Sequence, residues 1–137
     1  MKAAIVGCGG IAAVHAASIS QLQGAVLTAF ADIKKERAED FASRYGGKAY
    51  GSLEEMLEQE KPDVLHICTP HYLHKDMAIA AMEHHKAVVL EKPAAMNERE
   101  LDELCAAQKR LNGKICVMLQ NRTNPGIIAL KSRIAGD

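Results

Sequence analysis

The sequence predicts an α/β domain of the Rossmann type: a doubly wound, mostly parallel sheet with helices on both faces. Three observations lead there. Short apolar runs alternate with longer helical patterns along the whole chain, the first run ends in a glycine-rich turn that opens a helix, and an aspartate closes the second run.

Each element follows from local chemistry. Lys2 to Val6 is a compact apolar run ending in glycines, the form of a strand buried on both faces. Ile11 to Leu22 places Ile11, Val14, Ala17 or Ser18, and Leu22 at helical spacing. Ala25 to Ala31 reads as a second strand, and Lys34 to Tyr45 as a helix stopped by Gly46-Gly47. A short extended piece, Lys48 to Tyr50, precedes a helix capped by Ser52 with Glu55. Val64 to Cys68 is the next strand, closed by Thr69-Pro70, and His71 to His84 a helix with Leu73, Met77, Ala80 and Ala81 on one face. Ala87 to Leu90 is a strand with Glu91-Lys92-Pro93 at its carboxyl end. Asn97 with Glu100 caps a helix that stacks Leu101, Leu104, Cys105 and Leu111. Lys114 to Leu119 is the last strand, and Ile127 to Ile134 begins a helix after Asn124-Pro125-Gly126.

Composition sets the function class. The 137 residues are 48% apolar and 25% charged, ordinary for one globular domain, and folding removes roughly 65–70% of the unfolded surface at this length. Seventeen basic residues balance seventeen acidic ones, which gives no electrostatic case for nucleic acid or an anionic membrane as partner. No apolar stretch approaches the roughly 18 residues of a membrane span, and Met1 to Val6 is too short for a signal sequence, so a cytoplasmic protein is expected. Cys8, Cys68, Cys105 and Cys116 are scattered, and reduced, mostly buried thiols are expected. A helix start could lower the pKa of Cys8. His66, His71, His74, His84 and His85 complete no zinc spacing, so no metal is expected; His15 reads as a packing residue.

The loop Gly7-Cys8-Gly9-Gly10-Ile11-Ala12 is the predicted dinucleotide site. Gly7 makes the tight turn, Gly9 admits a pyrophosphate close to the backbone, and Ala12 is small enough for close helix–strand packing. Amides at the helix start face the phosphates. Asp32, twenty residues after Ala12, would accept hydrogen bonds from ribose hydroxyls and repel a 2′-phosphate, favouring NAD over NADP; Lys34 and Lys35 soften that preference. The bland reading makes Asp32 an N-cap of the second helix. Cys68-Thr69-Pro70 and Glu91-Lys92-Pro93 fall at two further strand ends, where ligands collect in open parallel sheets. Thr69 could serve the cofactor or a plain turn. The Lys92 ammonium could stabilise a developing alkoxide during hydride transfer, or form a surface Glu-Lys pair.

These residues resemble the N-terminal domain of the Gfo/Idh/MocA family, the glucose–fructose oxidoreductases, inositol dehydrogenases and rhizopine-catabolism proteins. The resemblance is carried by AAIVGCGGIAAVHAASI, ADIKKERAEDFASRYG, KPDVLHICTPHYLH, VVLEKPAA, NERELDELCAAQKR and VMLQNRTNP. It implies an NAD(P)-dependent oxidoreductase acting on a sugar, cyclitol or similar small-molecule polyol. Lys92 would be the catalytic lysine, with Gly7, Gly9, Gly10, Ile11, Ala12, Asp32, Cys68, Thr69, Pro70, His74 and Glu91 along the cofactor. His71 departs from the family's usual asparagine. The resemblance further implies a second α/β domain that binds substrate, supplies a second acid–base group and forms a homo-oligomer. Residues 1–120 are then the cofactor domain and 121–137 the start of a connection, and the chain alone is expected to bind NAD with little or no turnover. The competing expectations are a stand-alone NAD-binding regulatory module and a relative of NAD-using glycoside hydrolases.

Overall fold

The strands read from the sequence assemble in one parallel sheet. In the computed structural model, which describes residues 1–135, they are β1 (Lys2–Val6), β2 (Val26–Ala31), β3 (Lys48–Tyr50), β4 (Val64–Ile67), β5 (Ala87–Glu91) and β6 (Ile115–Met118). The helices are α1 (Gly10–Ser20), α2 (Lys35–Tyr45), α3 (Leu53–Glu60), α4 (His74–Glu83), α5 (Glu98–Arg110) and α6 (Pro125–Ala135). Strand order is β3-β2-β1-β4-β5-β6, with every neighbouring pair parallel. The chain runs outward from β1 in one direction and then restarts from β4 in the other. The switch point between β1 and β4 opens a crevice at their carboxyl ends.

Period-two alternation sorts the strand residues into two cores. Ala4, Val6, Leu65, Ile67, Val88 and Leu90 face α3, α4 and α5, whereas Ala3, Ile5, Phe30 and Val64 face α1 and α2. Truncating a fully buried core leucine such as Leu65 to alanine typically costs about 2–5 kcal/mol. The caps form as the sequence predicts: Ser52 Oγ accepts from the Glu55 amide (3.1 Å), and Asn97 Oδ1 from the Glu100 amide (2.9 Å). Glu100 reaches back one residue further than a capping box requires, to the Met96 amide at 2.9 Å. Gly46 ends α2, and Gly47 follows at φ +94°, where a Cβ would stand 2.7 Å from the Thr28 carbonyl. Only glycine lets β3 join β2 at this distance.

The helix faces differ from the periodicity reading. On α1 the buried residues are Ala12, His15, Ala16 and Ile19, while Ile11, Val14 and Leu22 are exposed. Where the helix lies closest to the sheet the inward residues are small, Ala12 and Ala16. On α4 the deepest residues are His74, Ala78, Ala81 and Met82; on α5 they are Leu104 and Ala107, with Leu101 and Cys105 outside. His71–Leu73 is a 3-10 turn before α4, and Glu91 is the last residue of β5. α6 buries none of its side chains and exposes Ile127, Ile128, Leu130 and Ile134. On the α1 side of the sheet beyond β4, Val89 and Met118 are half-buried and Cys116 is exposed. No helix among the described residues is long and apolar enough to cross a membrane.

Candidate functional site

The glycine loop is built where the sequence places it. Gly7 leaves β1 at φ +84°, and its amide donates to the Ala31 carbonyl at 2.8 Å, stitching the loop to the end of β2. A Cβ on Gly7 would lie 2.7 Å from the Thr69 nitrogen and 2.8 Å from the Cys68 carbonyl group. Gly9 and Gly10 instead have open space where a Cβ would be. Gly9 is the N-cap of α1 with no side-chain cap, and the first turn carries no acidic residue. The leading amides of α1 are therefore available to an anion, with the helix dipole favouring it and no carboxylate competing. Ala12 is fully buried against the sheet.

Asp32 follows β2 directly. One carboxylate oxygen accepts from the Cys8 amide and the other from the Lys34 amide, both at 2.8 Å. It does not cap α2, whose N-cap is Lys34. Each oxygen retains a further lone pair, so the half-buried carboxylate can accept more bonds while its backbone donors fix its orientation. Beside it opens a cavity of about 150 Å³ lined by Gly7, Asp32, Ile33, Arg37, Thr69 and Pro70.

A second cavity, about 200 Å³, lies across Thr69 from the first and is lined by Ile11, Thr69, His71, Glu91, Lys92 and Gln120. The ends of β4 and β5 thus bring together the two motifs that the sequence could only place one at a time. Lys92 is exposed, and its amide donates to its neighbour's Glu91 Oε2 at 3.2 Å. Thr69 Oγ1 is buried with no hydrogen-bond partner among the described residues. An orphan hydroxyl at this point fits a place where a polar ligand group completes the bonding.

Other predicted residues are positioned differently. His74 is fully buried, with Nδ1 2.7 Å from the Pro93 carbonyl and Nε2 3.0 Å from the Thr69 carbonyl. Both ring nitrogens are thus engaged, and the side chain ties the two loops together instead of facing the groove. Cys68 is buried under the β4 end, and its thiol is pushed up to about 12 by burial, then by the Glu91 charge. Cys8 runs opposite to the helix-start expectation: burial, then the Asp32 carboxylate, push it up to about 12. Cys105 and Cys116 are exposed, so the thiols divide evenly. In the native protein a thiol reagent should label these two, with Cys8 and Cys68 reacting at least about a hundredfold more slowly. Mass spectrometry of the labelled peptides checks the assignment.

Sequence reasoning gave no role to Arg37 or Gln120, and it read His15 as packing. Arg37 has a signal, since it lies one helical turn into α2 behind Asp32. Gln120 has none, because its place depends on how the chain turns after β6.

The sequence profile of an oxidoreductase family described as an NAD-binding Rossmann fold, GFO_IDH_MocA, matches residues 1–119. The chain belongs to this family.

Within it, the chain is 32% identical to glucose-6-phosphate 3-dehydrogenase of Bacillus subtilis over 97% of its own length and 37% of that protein's. It is 27% identical to myo-inositol 2-dehydrogenase of Thermotoga maritima over 80% of its length and 33% of that protein's. The structure superposes on the WlbA dehydrogenase of Bordetella pertussis, solved with NADH and UDP-GlcNAcA, with a TM-score of 0.94 and 30% identity, covering 99% of this chain and 42% of that one. The chain therefore spans between about a third and two fifths of the relatives it matches. NAD is the cofactor of the family fold, and the open glycines, uncapped α1 terminus, Asp32 and orphan Thr69 hydroxyl all fit it.

Proposed function

We propose that this chain is the cofactor-holding part of an NAD-dependent dehydrogenase that oxidises a secondary hydroxyl of a sugar, cyclitol or similar polyol. The observation that carries this reading is the convergence of Ile11, Thr69, Glu91 and Lys92 on one cavity beside the glycine loop. A pure binding module has no use for an exposed lysine at that point.

In this reading the leading amides of α1 hold the pyrophosphate, Asp32 accepts from the adenosine ribose, and Gly7 lets the loop lie against Thr69. NAD, when bound, supplies the hydride acceptor. The Lys92 ammonium donates a hydrogen bond to the substrate oxygen and steadies negative charge as it develops there, while the hydroxyl proton passes to the acid–base group of the substrate domain. Glu91 and Thr69 fix the walls of the cavity. Residues 1–120 form the cofactor domain and 121–137 lead toward a substrate domain, through which a cytoplasmic homo-oligomer would assemble.

Calorimetric titration of the chain with NAD and NADP tests the cofactor assignment. NAD should bind more tightly, and Asp32→Asn should narrow the preference by about tenfold or more, the worth of one charge-assisted hydrogen bond. Tighter binding of NADP by the unaltered chain would refute the role of Asp32.

A further inference from the structure

A polar cluster lies beneath the Lys92 cavity, and of its members only Glu91 enters the reading above. His15 comes from α1, His66 from β4 and Glu91 from β5; His15 and Glu91 are each only 7% exposed. His15 Nε2 lies 3.0 Å from Glu91 Oε1, and His15 Nδ1 lies 2.9 Å from His66 Nδ1. The two rings meet edge to face, 5.2 Å between centroids. The other Glu91 oxygen accepts the Lys92 amide. The chain of contacts thus runs from the cofactor-loop helix, through a buried carboxylate, to the main chain of Lys92.

The protons on this chain are constrained. A carboxylate only accepts, so His15 Nε2 carries a proton; two facing Nδ1 atoms need one proton between them. Two arrangements satisfy both contacts. Neutral His15 accepts from a protonated His66 Nδ1, or cationic His15 donates at both ends to a bare His66 Nδ1. His66 stays uncharged in each, because burial, then the neighbouring His15, push it down to about 4. The groups facing His15 are His66 from β4 and Glu91 from β5. Behind Glu91 the Cys68 thiol remains protonated, pushed up to about 12.

We propose that His15 is a positioning residue for Lys92: by holding the Glu91 carboxylate in place, it fixes the main chain from which the lysine enters the groove. The role rests on the reading of Lys92 given above. A carboxylate buried without its donor turns toward other partners or water, and the Lys92 amide then loses its acceptor. Simple packing by His15 would not produce this dependence.

Amide and imidazole NMR of the whole chain provides the test. In His15→Gln the side-chain amide nitrogen replaces Nε2 as donor, so the Lys92 resonance keeps its place. In His15→Leu the resonance moves, and its hydrogen exchange quickens by roughly tenfold, as expected for a lost charge-assisted bond. If His15→Leu does not fold, His15→Asn decides, since its shorter side chain equally leaves Glu91 without its donor. A Lys92 amide indifferent to loss of the donor, or one that moves as far in His15→Gln as in His15→Leu, would overturn the tie. Failure of the Lys92 reading shows separately, as full turnover by Lys92→Ala in an enzyme that joins this domain to a substrate-binding domain, and it would overturn the positioning role.

Discussion

Turnover falls by about 10²–10⁴ when Lys92 is replaced by alanine in an enzyme that joins this domain to a substrate-binding domain, the usual worth of a positioned acid–base group. NAD affinity stays within about twofold, because the lysine acts on the reacting oxygen and the dinucleotide is held by the loop and Asp32. The structure makes the substitution clean. Lys92 is exposed and enters none of the ion pairs found among the described residues, so its removal leaves no stranded buried partner. Lys92→Arg restores the charge without the activity, since a broad planar guanidinium does not fit a point donor's place. Steady-state kinetics with calorimetry on the same variants separates the two effects. Equal loss of turnover and cofactor affinity would move Lys92 from the reaction to the binding of NAD.

Gly7→Ala is the largest expected effect on folding. A side chain at φ +84° costs about 1–2 kcal/mol, and the new Cβ would overlap the Thr69 nitrogen at 2.7 Å, adding about 1–3 kcal/mol of crowding. Neither neighbour can yield cheaply. The Gly7 amide is bonded to the β2 end, and the Cys68 amide to the Val6 carbonyl at 2.8 Å. The combined loss lowers Tm by about 8 °C or more for a domain of this size, read by circular dichroism. Gly47→Ala serves as the control. It meets similar crowding against Thr28, far from the groove, so it should lower stability while sparing NAD affinity in the folded protein. Gly7→Ala should lower both.

Much of this was legible in the residues. Alternating runs and the Gly46-Gly47 stop located the elements within a residue or two, save α4, which starts three residues after the His71 read from the sequence because a 3-10 turn precedes it. Asp32 and Lys92 could be placed at strand ends for the same reason. Buried faces were less legible: Ile11, Val14 and Leu22 satisfy helical spacing yet lie outside, since the distance of α1 from the sheet is set by strand packing and favours Ala12 and Ala16. The Cys8 thiol was misjudged because the helix start acts at a distance, while burial and a carboxylate from another strand act at contact.

The sequence by itself determined the parallel α/β class, the glycine loop, the acidic residue that answers it, and the lysine beside a proline after the fifth strand. These follow from short-range rules of turn, cap and period. Only the tertiary structure decided that Thr69 backs onto Gly7, that His74 ties two loops, and that His15 meets Glu91 across 76 residues of chain. Such contacts depend on strand order and register, which bring distant segments within 3 Å and leave no trace in local spacing.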